Sequence, residues 1–181
     1  MNSEGSVSAA QLRMDWERVP PVPCPVSSTL DLVGDRWSLL IVRDVMNGVR
    51  RFDGLTKRLG IGRATLSARL RQLVDDGILE TADYLDRRGR TRSEYRLTDR
   101  GWALRHVVVA LRDWGDAHVI GEGNELLHLV DRTSGRPVRL AFVDDTGSEV
   151  DDRDVMTGPG PGFPASALVP ADDAPVNGPN A

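Results

Sequence analysis

Cysteine is almost missing from this chain: Cys24 is the single one in 181 residues. That excludes an internal disulfide framework and a cysteine-rich zinc site within one chain. Histidine is scarce as well. His106, His118 and His128 do not fall at i, i+4 spacing with a carboxylate, and the acidic run from 144 to 154 lacks the alternating ligands of a calcium loop. No metal and no cofactor is expected. Nowhere do about 18 apolar residues run together, and the start Met1-Asn2-Ser3-Glu4 has no basic cluster leading into an apolar stretch. The expectation is a cytoplasmic protein without a membrane partner. The glycines of 158–162 precede neither a helix nor a lysine, so they are no phosphate cradle, and no nucleophile, base and oxyanion arrangement is recognisable. An enzyme is not expected. Lysine is nearly absent too: of 23 basic residues, all but Lys57 are arginine. Arginine suits bidentate contacts to phosphate and guanine, although a bias in genomic composition would give the same excess.

Charge is divided unevenly. The chain as a whole carries −4, yet residues 34–105 hold 16 Lys+Arg against 10 Asp+Glu, a net +6, and the remainder is −10. Nucleic-acid binding depends on the local field, because phosphate contact and counterion release are local events. Within the basic stretch, Phe52 to Gly77 reads as two short helices joined by a glycine-bearing turn. Phe52, Leu55 and Leu59 form one apolar stripe and Leu66, Leu70 and Leu73 another. This is a helix-turn-helix pattern. The polar, basic side of the second helix offers Arg63, Thr65, Ser67, Arg69 and Gln72 to base edges and phosphates. Arg51, just ahead of the first helix, would lie beside the DNA backbone.

Upstream, Leu30, Val33, Trp37, Leu40, Ile41 and Val45 recur at helical spacing, with a break near Gly34. Residues 1–23 end in a proline-rich run and read as a flexible arm, with room for a short helix over Ala9–Arg18. Downstream, residues 78–84 and 93–97 read as two strands around a basic tip with Arg87, Arg88, Arg90 and Arg92. A hairpin directly after a recognition helix makes a wing; the plain alternative is a solvated loop. Thr98-Asp99 caps a helix expected from Arg100 to His118, with Leu104, Val107, Val108, Leu111 and Trp114 on one face. A small domain would leave that face open, and pairing with a second copy would cover it. Residues 126–130 and 138–143 alternate like strands, and a turn over Asp144–Gly147 leads toward a third strand near Ser148–Asp151, giving a β-hairpin extension over 121–157; 158–181 has the composition of a disordered tail. The expected architecture is mainly α with a small β-wing: a dimeric winged helix-turn-helix over 24–120, plus that hairpin extension.

These residues resemble the HxlR-type, MarR-like winged helix-turn-helix regulators of bacteria. The resemblance runs through Cys24-Pro25-Val26, Gly34-Asp35-Arg36-Trp37, Arg51-Phe52, Ile61 to Leu73, Ser93 to Gly101 and Leu111 to Gly115. It implies a homodimer built from N- and C-terminal helices, binding a pseudo-palindromic operator in double-stranded DNA, commonly as a repressor. It also implies that the position of Cys24 can sense electrophiles or oxidants. Two departures stand out. Gly62 occupies a position where serine often begins the recognition helix, and Thr146-Gly147 stands where some relatives carry Cys-Gly, which removes a thiolate zinc site.

Two routes for a signal remain open from sequence. Cys24 is either a redox-active thiol or a small apolar residue. Trp16, Trp37, Trp102 and Trp114 are either core and interface residues or the lining of a pocket for a small aromatic effector. The alternative to a DNA-binding regulator is a winged-helix docking or dimerisation module that does not bind DNA.

Overall fold

The computed structural model describes residues 12–19, 24–86, 88–121 and 123–170. In chain order they form β1 (Leu12–Met14), α1 (Pro25–Val33), α2 (Arg36–Met46), α3 (Phe52–Leu59), α4 (Arg63–Asp75), β2 (Leu79–Leu85) and β3 (Thr91–Leu97). There follow α5 (Asp99–Ala103), α6 (Arg105–Gly115), β4 (Phe142–Val143), β5 (Glu149–Val150) and β6 (Leu168–Pro170). They divide into two units, residues 25–140 and the two flanking end segments. No described helix is long and apolar enough to cross a membrane.

In the larger unit, the first turn of α2 is fixed by Asp35. Its carboxylate accepts from the backbone N–H of Trp37 at 3.0 Å and of Ser38 at 3.1 Å, and from the Ser38 hydroxyl. A cap of this kind is worth about 1 kcal/mol. Helical spacing then carries Ile41, Val42 and Val45 inward, where they meet Leu55 of α3, Leu66, Leu70 and Leu73 of α4, and Ile78 and Leu79. Asp44 is on the same buried side of α2. Its Oδ1 takes Arg43 Nη2 at 2.9 Å and Arg58 Nε at 3.0 Å, so α2 and α3 are fastened by charge as well as by packing. The turn between α3 and α4 uses Gly60 in the left-handed region (φ 63°), which ends α3 without a Cβ penalty. Gly62 then precedes α4 with no side-chain cap, as its lack of a hydroxyl requires.

The wing pairs β2 with β3 antiparallel, Leu79 opposite Leu97 and Leu85 opposite Thr91. The Tyr95 N–H donates to the Arg50 carbonyl at 2.8 Å, which anchors β3 to the segment entering α3. After the wing, Thr98 caps α5 through the Gly101 N–H and also donates its hydroxyl to the Gly77 carbonyl at 2.7 Å. Arg100 Nη1 donates to the Asp76 carbonyl at 2.9 Å. These bonds bring α5 so close to the turn after α4 that a Cβ at Gly101 would lie 2.2 Å from the Ile78 carbonyl oxygen.

Four local expectations are corrected. The helix expected over 100–118 is broken at Leu104 (ψ −6°) into α5 and α6, because the docking of Gly101 sets the axis of α5; a wider π turn over Asp116–Ile120 follows α6. The strand expected at 126–130 reduces to a single bridge, Val130 to Pro137, and that at 138–143 to the two residues of β4. Pro137 has no N–H with which to extend a ladder. The short hairpin joins β4 to β5, which falls in the third strand expected near 148–151, around the expected turn at 144–147, in which Asp144 Oδ1 accepts from the Thr146 and Ser148 N–H groups, both at 2.9 Å. Finally, the tail and arm are ordered where they meet: β6 pairs with β1, Arg13 opposite Val169, with Ala167 and Val169 buried. The helix expected over 9–18 is replaced by β1 and a single 3-10 turn at Trp16–Arg18, and its first residues lie outside the described ones.

Replacing Gly101 with alanine forces α5 away from Ile78, and overpacking of this kind costs about 1 to 3 kcal/mol. Urea denaturation of the Gly101→Ala variant is expected to show a lower midpoint, whereas Gly158→Ser, with open space around its α-carbon and no left-handed backbone, leaves the core transition nearly unchanged. In the same assay Leu70→Ala, at a side chain with no exposed surface, is expected to cost about 2 to 5 kcal/mol.

Candidate nucleic-acid interface

The buried leucines of α4 decide which of its side chains face outward. With Leu66, Leu70 and Leu73 in the core, the 3.6-residue period turns Ala64, Thr65, Ala68, Arg71 and Gln72 to the opposite side. Thr65, Arg71 and Gln72 are exposed there. Arg71 was missed in the sequence reading, although its spacing from the leucines identifies it. Its Nε reaches the Ser67 carbonyl only at 3.4 Å, a weak contact. Gln72 Nε2 donates to the Asp76 carboxylate at 3.1 and 3.2 Å. Ser67 is half-buried.

Arg69 is placed differently from its expected role. It sits on the flank of α4, its Nε 3.3 Å from Asp35 Oδ1. The carboxylate that caps α2 thus also holds the middle of the recognition helix. Asp35 is a positioning residue that sequence reading had treated only as part of a motif.

The other basic residues are also pre-paired. Arg51 lays its guanidinium over the Tyr84 ring of β2 at 4.2 Å, and Arg63 covers the Phe52 ring at 4.7 Å while its Nη1 meets Asp53 Oδ1 at 3.0 Å. At the wing tip, Asp86 gathers the loop: Oδ1 accepts from the Arg88 N–H at 2.8 Å and the Arg90 N–H at 3.0 Å. Its Oδ2 takes Arg90 Nη2 at 3.0 Å and Arg92 Nε at 3.6 Å. Arg88 is exposed; Arg87 lies outside the described residues. Arg51, Arg63, Tyr84 and Arg92 border a concavity of about 570 Å³ between the start of α3, the start of α4 and the wing. A cleft lined by arginines between a recognition helix and a wing can receive a phosphate ridge while the helix reaches base edges.

Trp37, Trp102 and Trp114 of the larger unit line no common cavity. Trp37 packs against the core with Arg36 over its ring at 5.1 Å. Trp102 and Trp114 are exposed, Trp16 belongs to the other unit and its side chain is outside the described ones, and no tryptophan lines the concavity above or the cavity beside α6. The expected aromatic pocket is therefore not formed from them within the larger unit. Cys24, a free and half-buried thiol, directly precedes the first residue of α1. Among the described residues, no group of three or more His, Cys, Asp and Glu side chains is placed to hold a metal ion.

Two core helices beneath a helix-turn-helix, with a basic wing following it, define a winged-helix DNA-binding transcription regulator. The chain belongs to the HxlR-like helix-turn-helix family, which it matches over residues 32–122. It is 40% identical over 141 residues to Rv3095, an HTH-type transcriptional regulator of Mycobacterium tuberculosis H37Rv, spanning 77% of this chain and 88% of that one. YdeP, an HTH-type regulator of Bacillus subtilis, is 31% identical over 96 residues, 52% of this chain and 73% of YdeP. Among solved structures, the transcription-factor structure PA1607 is similar with a TM-score of 0.65 at 39% identity, covering 76% of this chain and 95% of that one. PA1374 from Pseudomonas aeruginosa gives 0.55 at 36% identity, covering 80% and 97%.

Asp86 provides a test of the wing. Its carboxyl is held below the ordinary carboxylate range, chiefly by the Arg90 backbone N–H, then by the Arg88 N–H, the Arg90 guanidinium and the charge of Arg92. A depressed folded-state pKa contributes order that is fully present above the unfolded value and is lost only as pH falls through the lowered one. NMR of the wing amides is expected to show no transition through the usual carboxylate midpoint and a change at lower pH. A shift of the Arg88 and Arg90 amide resonances at the ordinary carboxylate midpoint would count against this role, and Asp86→Asn should abolish the transition.

Proposed function

We propose that this regulator is a homodimeric repressor that reads a pseudo-palindromic operator. The observation that carries the dimer is the apolar stripe on α6: Val107, Leu111 and Trp114 follow one another at helical spacing and all are exposed, Trp114 to 61%. Trp102 lies exposed just before it, and Val26 and Leu30 stand open one turn apart on α1. Soluble monomers rarely leave such patches uncovered. A two-fold partner on this surface presents two recognition helices to successive major-groove turns, about 34 Å apart. Occupancy of that length of duplex is itself enough to exclude other DNA-binding proteins, which is the simplest form of repression.

On this reading Thr65, Ser67, Arg71 and Gln72 approach base edges. Arg51, Arg63, Arg87, Arg88, Arg90 and Arg92 hold phosphates. Arg69 contributes after leaving Asp35, or indirectly by keeping α4 in place. A signal arrives as a small effector or as a modification of Cys24, the residue that precedes α1 in the chain.

Three measurements check this. Sedimentation is expected to give a dimer for the wild-type protein and a monomer for Leu111→Asp, and a wild-type monomer would overturn the arrangement. In fluorescence anisotropy against the DNA flanking its own gene, Arg71→Ala is expected to weaken binding by about 1 to 3 kcal/mol. Arg69→Ala should cost less, because half-exposed pairs such as Arg69–Asp35 contribute only about 0 to 1 kcal/mol; the reverse order would return Arg69 to the groove. If thiol oxidation weakens DNA binding, Cys24→Ser should remove that sensitivity while leaving affinity intact.

A further inference from the structure

A second concavity lies on the opposite side of α6 from the proposed dimer stripe. The 3.6-residue period sends Val107, Leu111 and Trp114 one way and Arg112, Asp113 and Asp116 the other. Those last three, with Ala117 from the π turn, form one wall of a cavity of about 460 Å³. Small-molecule sites typically measure about 300 to 1,000 Å³. The facing wall is the segment 125–139, all of which lies beyond the end of the family match at residue 122, so the helix-turn-helix does not account for it.

That facing wall is built rather than loose. The Val138 N–H donates to the Leu129 carbonyl at 3.0 Å and the Asp131 N–H to the Arg136 carbonyl at 2.8 Å. Asp131 closes the turn by accepting from the Thr133 N–H at 3.1 Å and the Ser134 N–H at 3.0 Å. Leu127, Leu129 and Val138 thereby present apolar side chains to the cavity, opposite Ala117.

Its charged groups lean acidic. Three carboxylates, Asp113, Asp116 and Glu125, line it together with two guanidinium groups, Arg112 and Arg139, and one imidazole, His128. Arg112 is already engaged by Asp113 Oδ1 at 2.6 Å and by Asp116 Oδ2 at 3.7 Å. The Glu125 carboxyl is held below the usual range, chiefly by its own backbone N–H and that of Gly123, with a smaller contribution from His128. The carboxylates do not converge as a metal site, and the walls between them are apolar.

We propose that this cavity binds a small organic cation, an apolar or aromatic body bearing a protonated or quaternary amine. The body lies against Leu127, Leu129 and Val138, and the charge sits between Asp116 and Glu125. The site deepens the effector part of the reading above: a ligand wedged behind α6 bears on the helix whose other face is the proposed dimer surface. Binding itself does not rest on DNA recognition.

The test uses the full chain without DNA, so that its failure is separable from failure of the operator or dimer reading. Calorimetry and thermal unfolding are run with benzyltrimethylammonium and with 3-phenylpropionate as an anion of similar size. The cation is expected to bind and to raise Tm, and the anion to do neither. Glu125→Gln and Asp116→Asn should each weaken cation binding by about tenfold or more, the effect of losing one charge-assisted contact. Ala117→Trp, which fills the cavity while keeping every charge, should abolish it. No cation binding at millimolar concentration, equal binding of the anion, or binding that survives Ala117→Trp in a folded variant would each overturn the proposal.

Discussion

The closeness of α5 to the turn after the recognition helix governs how the rest of the larger unit works together. There is no room for a Cβ between Gly101 and the Ile78 carbonyl, and Thr98 and Arg100 use the carbonyls at that turn as acceptors. These are short, directional contacts between main chain and side chain. They leave little freedom for α4 to move without α5, and α5 leads through one non-helical residue, Leu104, straight into α6. The element that reads DNA and the element with the open apolar stripe are therefore joined by a stiff corner. In the proposed dimer, where half-site spacing is a rigid geometric requirement, a stiff corner would let a change at α6 be felt at α4.

On the proposed DNA face, the arginines are held in reserve by weak partners. Asp35, Asp53 and Asp86 each pair with an arginine whose side chain stays largely in solvent. Exposed pairs of this kind are worth about 0 to 1 kcal/mol, so exchanging a carboxylate for a phosphate costs little. The pairs still do something useful before DNA arrives: they restrict long side chains that would otherwise lose rotamer freedom on binding, and they lower the local positive field that attracts unrelated anions. Asp35 has a second attachment, the first turn of α2, so displacement of Arg69 would be felt at a helix cap in the core.

Much of this was legible in the sequence because it rests on local rules. Leucines at helical spacing, a glycine-bearing turn around Gly60, Thr98 as a cap, and a basic tip between alternating strands all follow from nearest-neighbour geometry. What was not legible depends on contacts between distant residues. Arg69 was assigned to the groove because its pairing with Asp35 spans two other helices, and Arg71 was passed over although the same wheel places it outward. The break at Leu104 follows from the docking of Gly101, which no local pattern reports. In the extension, the alternation at 126–143 suggested a ladder that Pro137 cannot complete. At the tail, the glycine and proline content concealed the short apolar run ending at Val169.

The pairing of β1 with β6 joins residues 12–14 to residues 168–170. Such a long-range contact has consequences for the order of events during synthesis. Chains emerge from the amino terminus, and β1 has no strand partner until Leu168 has been made, whereas every buried residue of the α2–α4 core is available more than 60 residues earlier. The helical unit can thus complete its folding around a first strand that is still waiting. Whatever interval separates the two events is one in which an unpaired strand edge is exposed on the nascent chain.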